Sequence, residues 1–167
     1  MKKTFVAVLM GSDSDAPTMQ ATIDILKRLQ VPFEAKVTSA HRTPEATHHY
    51  VRDAEGRGCQ VFIAAAGLAA HLAGAVAAIT TKPVIGVPLD AGALKGLDAL
   101  LSTVQMPGGV PVATVAIGKP GATNAGYLAA QILALADPEL QQRLRQDRAD
   151  QAGNVAAKDE ALQKQWA

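Results

Sequence analysis

Five short apolar runs, each followed by residues that turn or cap the chain, alternate with helix-like stretches, and this alternation restricts the fold more than any other feature. The runs fall at residues 4–10, 33–37, 61–65, 84–87 and 112–117. They are continuous rather than alternately polar, the pattern of strands covered on both faces, as in a parallel sheet. Helical signals lie between them. Asp15 and Pro17 open a helix predicted to run to about Gln30, with Met19, Ile23 and Leu26 on one face, and Thr43-Pro44 opens another that stops near Gly56 and Gly58. Further helices are predicted over 69–79, 97–104 and 124–136. Strands separated by helices call for right-handed crossovers and a three-layer α/β sandwich with a central parallel sheet of about five strands. Asp137-Pro138 starts a charged helical extension to about Asp150. Gly153-Asn154 is predicted to break it before an amphipathic piece ending in Leu162 and Trp166. The expectation is one domain over 1–167, with a core of about 1–136 and the extension from 137 to 167.

The small residues add a second constraint. The chain holds 33 alanines and 14 glycines among 167 residues, so backbones must approach closely and each residue gains little from burial. Between Gln60 and Gly118 the only charged residues are Lys82, Asp90, Lys95 and Asp98. A charge-poor surface of this extent implies burial against other copies of the chain, and a homo-oligomer is expected. The formal charge of +1 gives no general attraction to nucleic acid or an anionic membrane. The charge-free stretches 58–81 and 99–118 are too rich in alanine, or too interrupted by Pro107-Gly108-Gly109 and Pro111, to span lipid. Cys59, the only cysteine, excludes a disulfide framework, and with no secretory signal visible the cytoplasm is the expected compartment.

In open α/β sheets ligands bind beyond the carboxyl ends of the strands, and three such ends carry distinctive residues. Gly11-Ser12-Asp13-Ser14-Asp15 offers a tight turn, two hydroxyls and a helix N-terminus, which suits a phosphate, although an ordinary capped turn reads the same way. Neither Gly-Lys-Ser/Thr nor Gly-x-Gly-x-x-Gly is present. Ser39-Ala40-His41-Arg42-Thr43-Pro44 combines a guanidinium able to fork onto phosphate with an imidazole that titrates near neutrality. Thr43-Pro44 alone is explained by helix capping. His71 follows the third run in Ala66-Gly67-Leu68-Ala69-Ala70-His71 and reads, on the sequence alone, more readily as a satisfied, half-buried histidine than as a site residue. His48 and His49 read as surface, Cys59 as core filler, and no cluster has metal-ligand spacing. The apolar segment 105–111 fits either a lid over a ligand or a contact between subunits.

These loops, with Gly96-Leu97-Asp98-Ala99-Leu100-Leu101-Ser102-Thr103-Val104-Gln105-Met106-Pro107, resemble the class I N5-carboxyaminoimidazole ribonucleotide mutases of purine biosynthesis, from about Val6 to Leu133. The resemblance implies a flavodoxin-like fold, an octamer, and no metal or organic cofactor. It implies transfer of a carboxyl group from the exocyclic nitrogen to ring carbon C4 of a ribonucleotide, with CO2 as a transient intermediate. By the same likeness Ser12, Ser14 and Arg42 would hold the 5′-phosphate and Asp15 the ribose hydroxyls. Ser39, Ala66, Gly67 and Leu72 would complete the substrate site, His41 would carry the proton, and His71 would border the carboxylate or CO2.

The sequence departs from that family's pattern at Ala16, at Asp90-Ala91-Gly92, and at Leu68, where many members carry glycine. A side chain at 68 is expected to disfavour a positive φ. Two other readings remain: direct carboxylation of aminoimidazole ribonucleotide by CO2, as in the class II relatives, and a non-catalytic nucleotide-monophosphate binding protein. A receiver domain is disfavoured because the third strand ends without a phospho-accepting Asp, and a flavodoxin because aromatics to sandwich a flavin are scarce.

Overall fold

The computed structural model describes residues 4–166. Its sheet contains β1 (Phe5–Met10), β2 (Phe33–Val37), β3 (Cys59–Ala66), β4 (Val84–Pro88) and β5 (Ala113–Thr114). All pairings are parallel and the order is β2-β1-β3-β4-β5. Helices α1 (Ala16–Arg28), α2 (Pro44–Arg57), α3 (Leu72–Ala77), α4 (Leu97–Val104), α5 (Gly118–Ala134) and α6 (Pro138–Trp166) complete it. Strand order reverses direction between β1 and β3, the switch point at which doubly wound sheets open a crevice.

Alternation along β1 divides the core. Val6, Val8 and Met10 pack with Met19, Ile25 and Leu26 of α1 and with Ala122, Ala125 and Ala129 of α5. Phe5, Ala7 and Leu9 face Val51 and Ala54 of α2 and Leu72, Ala73 and Val76 of α3. The small residues allow close packing of helix on helix. A β-carbon at Gly126 of α5 would lie 2.9 Å from Ile25 Cβ of α1. Beside it, the fully buried Thr22 hydroxyl donates 2.6 Å to the Ala122 carbonyl.

Several boundaries differ from expectation. β5 pairs over two residues only, Ala113 with Ile85 and Thr114 with Gly86. α3 starts at Leu72, with His71 at its N-cap. α5 starts at Gly118, six residues before the predicted Asn124, because Pro120 in a first turn forfeits no intrahelical bond. α6 is continuous through Gly153-Asn154. A glycine in an exposed helix costs only about 1 kcal/mol, and α6 carries i,i+4 amide–carboxylate pairs such as Gln146–Asp150. Its residues from Ala149 to Trp166 are all exposed. Among the described residues no helix is long and apolar enough to cross a membrane.

Candidate active site

Register sets the floor of the site. Met10 pairs with both Val37 and Ala65, and Ala65 pairs with Val87, so β1 to β4 end level and their following loops emerge side by side. After β1 the chain makes one 3-10 turn, Asp13–Asp15. Asp15 stands at the N-cap position of α1 as expected but makes no capping bond there; Ser12 caps the 3-10 turn, and the Asp15 carboxylate closes that turn backwards. Ser12 Oγ accepts from the Ser14 amide at 3.3 Å and from the Ser14 hydroxyl at 2.9 Å, while the Ser12 amide donates 2.9 Å to Asp15 Oδ2. Burial pushes the Asp15 carboxyl above the ordinary aspartate value, partly offset by the amides of Ser12 and Gly11.

After β2, the hydroxyl of Thr43 folds back instead of capping α2. It accepts from the Ser39 amide at 3.0 Å and donates to the Ser39 carbonyl at 3.1 Å. The Ser39 hydroxyl in turn accepts from the Arg42 amide at 3.2 Å. Beneath this loop, the buried hydroxyls of Thr38 and Thr47 lie 2.7 Å apart. The loop carrying His41 and Arg42 is therefore clasped at both ends by one threonine. Sequence reasoning read Thr43 only as a cap, since a hydroxyl before Pro44 gives no sign of which way it turns.

The loop after β3 is held from the β4 side. The Leu89 amide donates 3.0 Å to the Ala66 carbonyl. A β-carbon on Gly67 would lie 2.8 Å from Ala91 Cβ, so glycine is required there by close approach. Leu68 adopts φ 56°, against the expectation that its side chain would exclude a positive value. Across from it Gly92, at φ 72°, leaves room for its side chain: a β-carbon on Gly92 would sit 2.5 Å from Leu68 Cδ2. The two departures from the family pattern, at 68 and at 90–92, meet in space.

His41 reaches over the β1 loop to His71, with Nε2 of the first 2.5 Å from Nδ1 of the second and the rings nearly perpendicular at 83°. At that distance one ring nitrogen donates to the other, the tautomers deciding which. Every residue expected in the site lines one cleft of about 360 Å³. Its lining changes along the sheet. Ser12, Ser14, Asp15, Ser39 and Arg42 stand over β1 and β2, whereas Ala66, Gly67, Leu68, Leu72 and Ala91 stand over β3 and β4. Ala91, which sequence reasoning did not select, comes from the loop after β4, the next strand end along the same edge. A larger cleft, about 920 Å³, includes Thr4, Pro32, Gln60 and Lys82 at the opposite edge, and no histidine lines it.

The remaining chemically notable residues lie elsewhere. Cys59 is buried, and burial pushes its thiol up to about 11, which suits core packing and not nucleophilic attack. His48 and His49 are exposed on α2. In segment 105–111, Met106 Sδ would lie 3.2 Å from a β-carbon on Gly74 of α3, whereas Gly109, Val110 and Pro111 lie with Thr80, Thr81 and Pro83, at the end of the sheet where β4 begins.

The chain matches the family model for AIR carboxylase over residues 5–154. It belongs to the AIR carboxylase family. Its similarity to named members of that family extends over nearly its whole length. It is 54% identical to the N5-carboxyaminoimidazole ribonucleotide mutase of Bacillus subtilis (strain 168), across 94% of this chain and 97% of that protein. It is 55% identical to the mutase of the same name from Mycobacterium tuberculosis (strain ATCC 25618 / H37Rv), across 95% of this chain and 90% of the other. The crystal structure of Treponema denticola PurE, at 27% identity, superposes with a TM-score of 0.86 and covers 95% of this chain and 98% of its own. The flavodoxin-like α/β architecture is thus that of a solved member of the family.

Proposed function

We propose that this chain is a cytoplasmic N5-carboxyaminoimidazole ribonucleotide mutase, an isomerase of purine biosynthesis, that uses His41 as its proton carrier. The observation that carries the reading is the His41–His71 pair lying in one cleft with two hydroxyl-bearing polar loops and an apolar wall. In this reading Ser12, Ser14 and Arg42 take the 5′-phosphate, with Arg42 making the forked contact a phosphate favours. Asp15 accepts from the ribose hydroxyls, and Ser39 holds the loop that presents His41. Ala66, Gly67 and Leu72 form the wall beside the ring, with His71 next to the migrating carboxyl group.

The proton count closes on one residue. Protonation of the carbamate nitrogen by His41 lets its N–C bond break with the electron pair left on nitrogen, releasing CO2. The electron-rich C4 then attacks that CO2, and the C4 proton returns to the same imidazole. No net proton, electron or water enters. The rest of catalysis is retention: CO2 must stay beside the ring until the new bond forms.

Incubating the purified protein with N5-carboxyaminoimidazole ribonucleotide should give the 4-carboxy isomer. His41→Asn should abolish turnover while phosphate-ligand affinity stays within roughly 1–2 kcal/mol of wild type. A fully active His41→Asn protein refutes the proton role. Bicarbonate-dependent turnover of aminoimidazole ribonucleotide without mutase activity assigns the chain to direct carboxylation instead. Assembly is part of the proposal. Leu97, Leu101 and Val104 of α4, exposed by 52%, 50% and 47%, and Leu94 in the turn before it, exposed by 61%, form an apolar patch suited to burial against another copy, in an octamer like that expected from the family likeness.

A further inference from the structure

Leu68 occupies a backbone conformation that L side chains rarely adopt, at the edge of the cleft, where glycine would sit without strain. Its side chain is not folded away: it remains 55% exposed and rests on Gly92, whose own missing β-carbon makes the space for it. The loops after β3 and β4 interlock twice, Gly67 against Ala91 and Leu68 against Gly92, and both Leu68 and Ala91 line the cleft. The strained leucine therefore places its branched tip at the mouth of the half of the cleft walled by alanine and glycine.

We propose that Leu68, braced on Gly92, is the rim that retains CO2 between its release from nitrogen and its capture by C4. This rests on the mutase reading. CO2 is small, uncharged and held by no strong bond, so its residence depends on closing the exit. A branched apolar side chain closes an exit that glycine leaves open. The same rim excludes water that would hydrate CO2.

The experiment follows the carbon. Wild type, Leu68→Ala, Leu68→Met and Gly92→Ala are each given unlabelled N5-carboxy substrate in 13C-bicarbonate buffer. The labelled fraction of the 4-carboxy product and the free aminoimidazole ribonucleotide are measured against an enzyme-free control. Wild type should retain its own carbon and show little label. Leu68→Ala should raise both the label and the decarboxylated nucleotide about tenfold, the low end of what an apolar contact contributes to discrimination in a pocket. Leu68→Met, which restores apolar reach, should return near wild type. Gly92→Ala, which pushes the leucine tip from behind, should leak as well and serves if Leu68→Ala does not fold. Leu135→Ala, at an exposed position outside the cleft, should match wild type. A folded Leu68→Ala or Gly92→Ala protein with the wild-type labelled fraction overturns the rim proposal alone. A wild type without mutase turnover defeats the parent reading and the rim with it.

Discussion

Replacing Thr43 by valine keeps the shape of the side chain and removes one hydroxyl, and the structure says what that hydroxyl does. It accepts from the Ser39 amide at 3.0 Å and donates to the Ser39 carbonyl at 3.1 Å, so one group holds both ends of the loop presenting His41 and Arg42. Thr43 is exposed, so water replaces part of what is lost, and two neutral bonds worth about 0.5–1.5 kcal/mol each reduce to about 1 kcal/mol of stability. In a chain of this length that lowers Tm by about 2–4 °C. The kinetic loss should be larger, because a displacement of about 1 Å in a reacting group can cost roughly a hundredfold. Thr43→Val should therefore lose about ten- to a hundredfold in kcat/KM, with kcat falling through His41 and KM rising through Arg42. Thr43→Ser keeps the hydroxyl and should remain within about twofold of wild type, the span of a benign change. Steady-state kinetics beside thermal unfolding decides it. Wild-type kinetics in Thr43→Val would refute the clasp, and equal damage from serine would show that the methyl group, not the hydroxyl, matters.

Three further outcomes follow from the same geometry. The raised Asp15 carboxyl means that ionisation costs stability, a cost absent below the unfolded value of 3.8 and fully present once pH has risen above the folded value. Asp15→Asn should therefore unfold at a higher temperature than wild type at pH 7, with the gain fading as pH falls toward 4, and should bind a ribose 5-phosphate more weakly; an unchanged Tm difference across that range would contradict the burial argument. Gly121→Ala should lose about 4 kcal/mol or more, read by urea unfolding, because its β-carbon would fall 1.6 Å from the Ala116 carbonyl oxygen. Truncation after Gln151 should leave a folded chain by circular dichroism, since every residue from 152 to 166 is exposed and Gln151 makes the last bond from α6 to Tyr127. If Val155, Leu162 and Trp166 hold the assembly together, sedimentation velocity should find a smaller species, and an unchanged assembly would exclude that role.

Much of the layout was legible because it follows from periodicity. Continuous apolar runs located all five strands, and the rule that ligands sit beyond strand ends located the loops that converge. What failed was what depends on partners distant in sequence. Helix α5 was expected to start at Asn124, and the start at Gly118 was missed because the packing of α5 on α1, such as Gly126 on Ile25, is set by residues about a hundred positions apart. Gly153 read as a break because propensity cannot tell that an exposed helix tolerates it. The apolar segment 105–111 left a lid and a subunit contact both open, because sequence marks a covered loop without saying what covers it. Leu68 was misjudged for a related reason: its own preference argued against a positive φ, while the room that makes the conformation useful is supplied by Gly92, 24 positions later.

The switch in strand order explains why the histidine pair falls where it does. From β1 the chain first crosses to β2 and then returns to build β3, β4 and β5 on the other side, so loops diverge left and right of one crevice. The left-hand loops are hydroxyl-rich and carry Arg42; the right-hand loops are alanine and glycine with one strained leucine. His41 belongs to the left set and His71 to the right, and they meet over β1, the strand between them. A nucleotide anchored by phosphate on the left must then present its ring at that boundary, with the migrating carboxyl group against the dry side. The proposed reaction needs this division, because a polar lining throughout would hydrate the CO2 and an apolar lining throughout could not hold the phosphate. It follows that substitutions of Ser12, Ser14 and Arg42 should act chiefly on KM, whereas those in the loops after β3 and β4 should act on the fate of the released carbon.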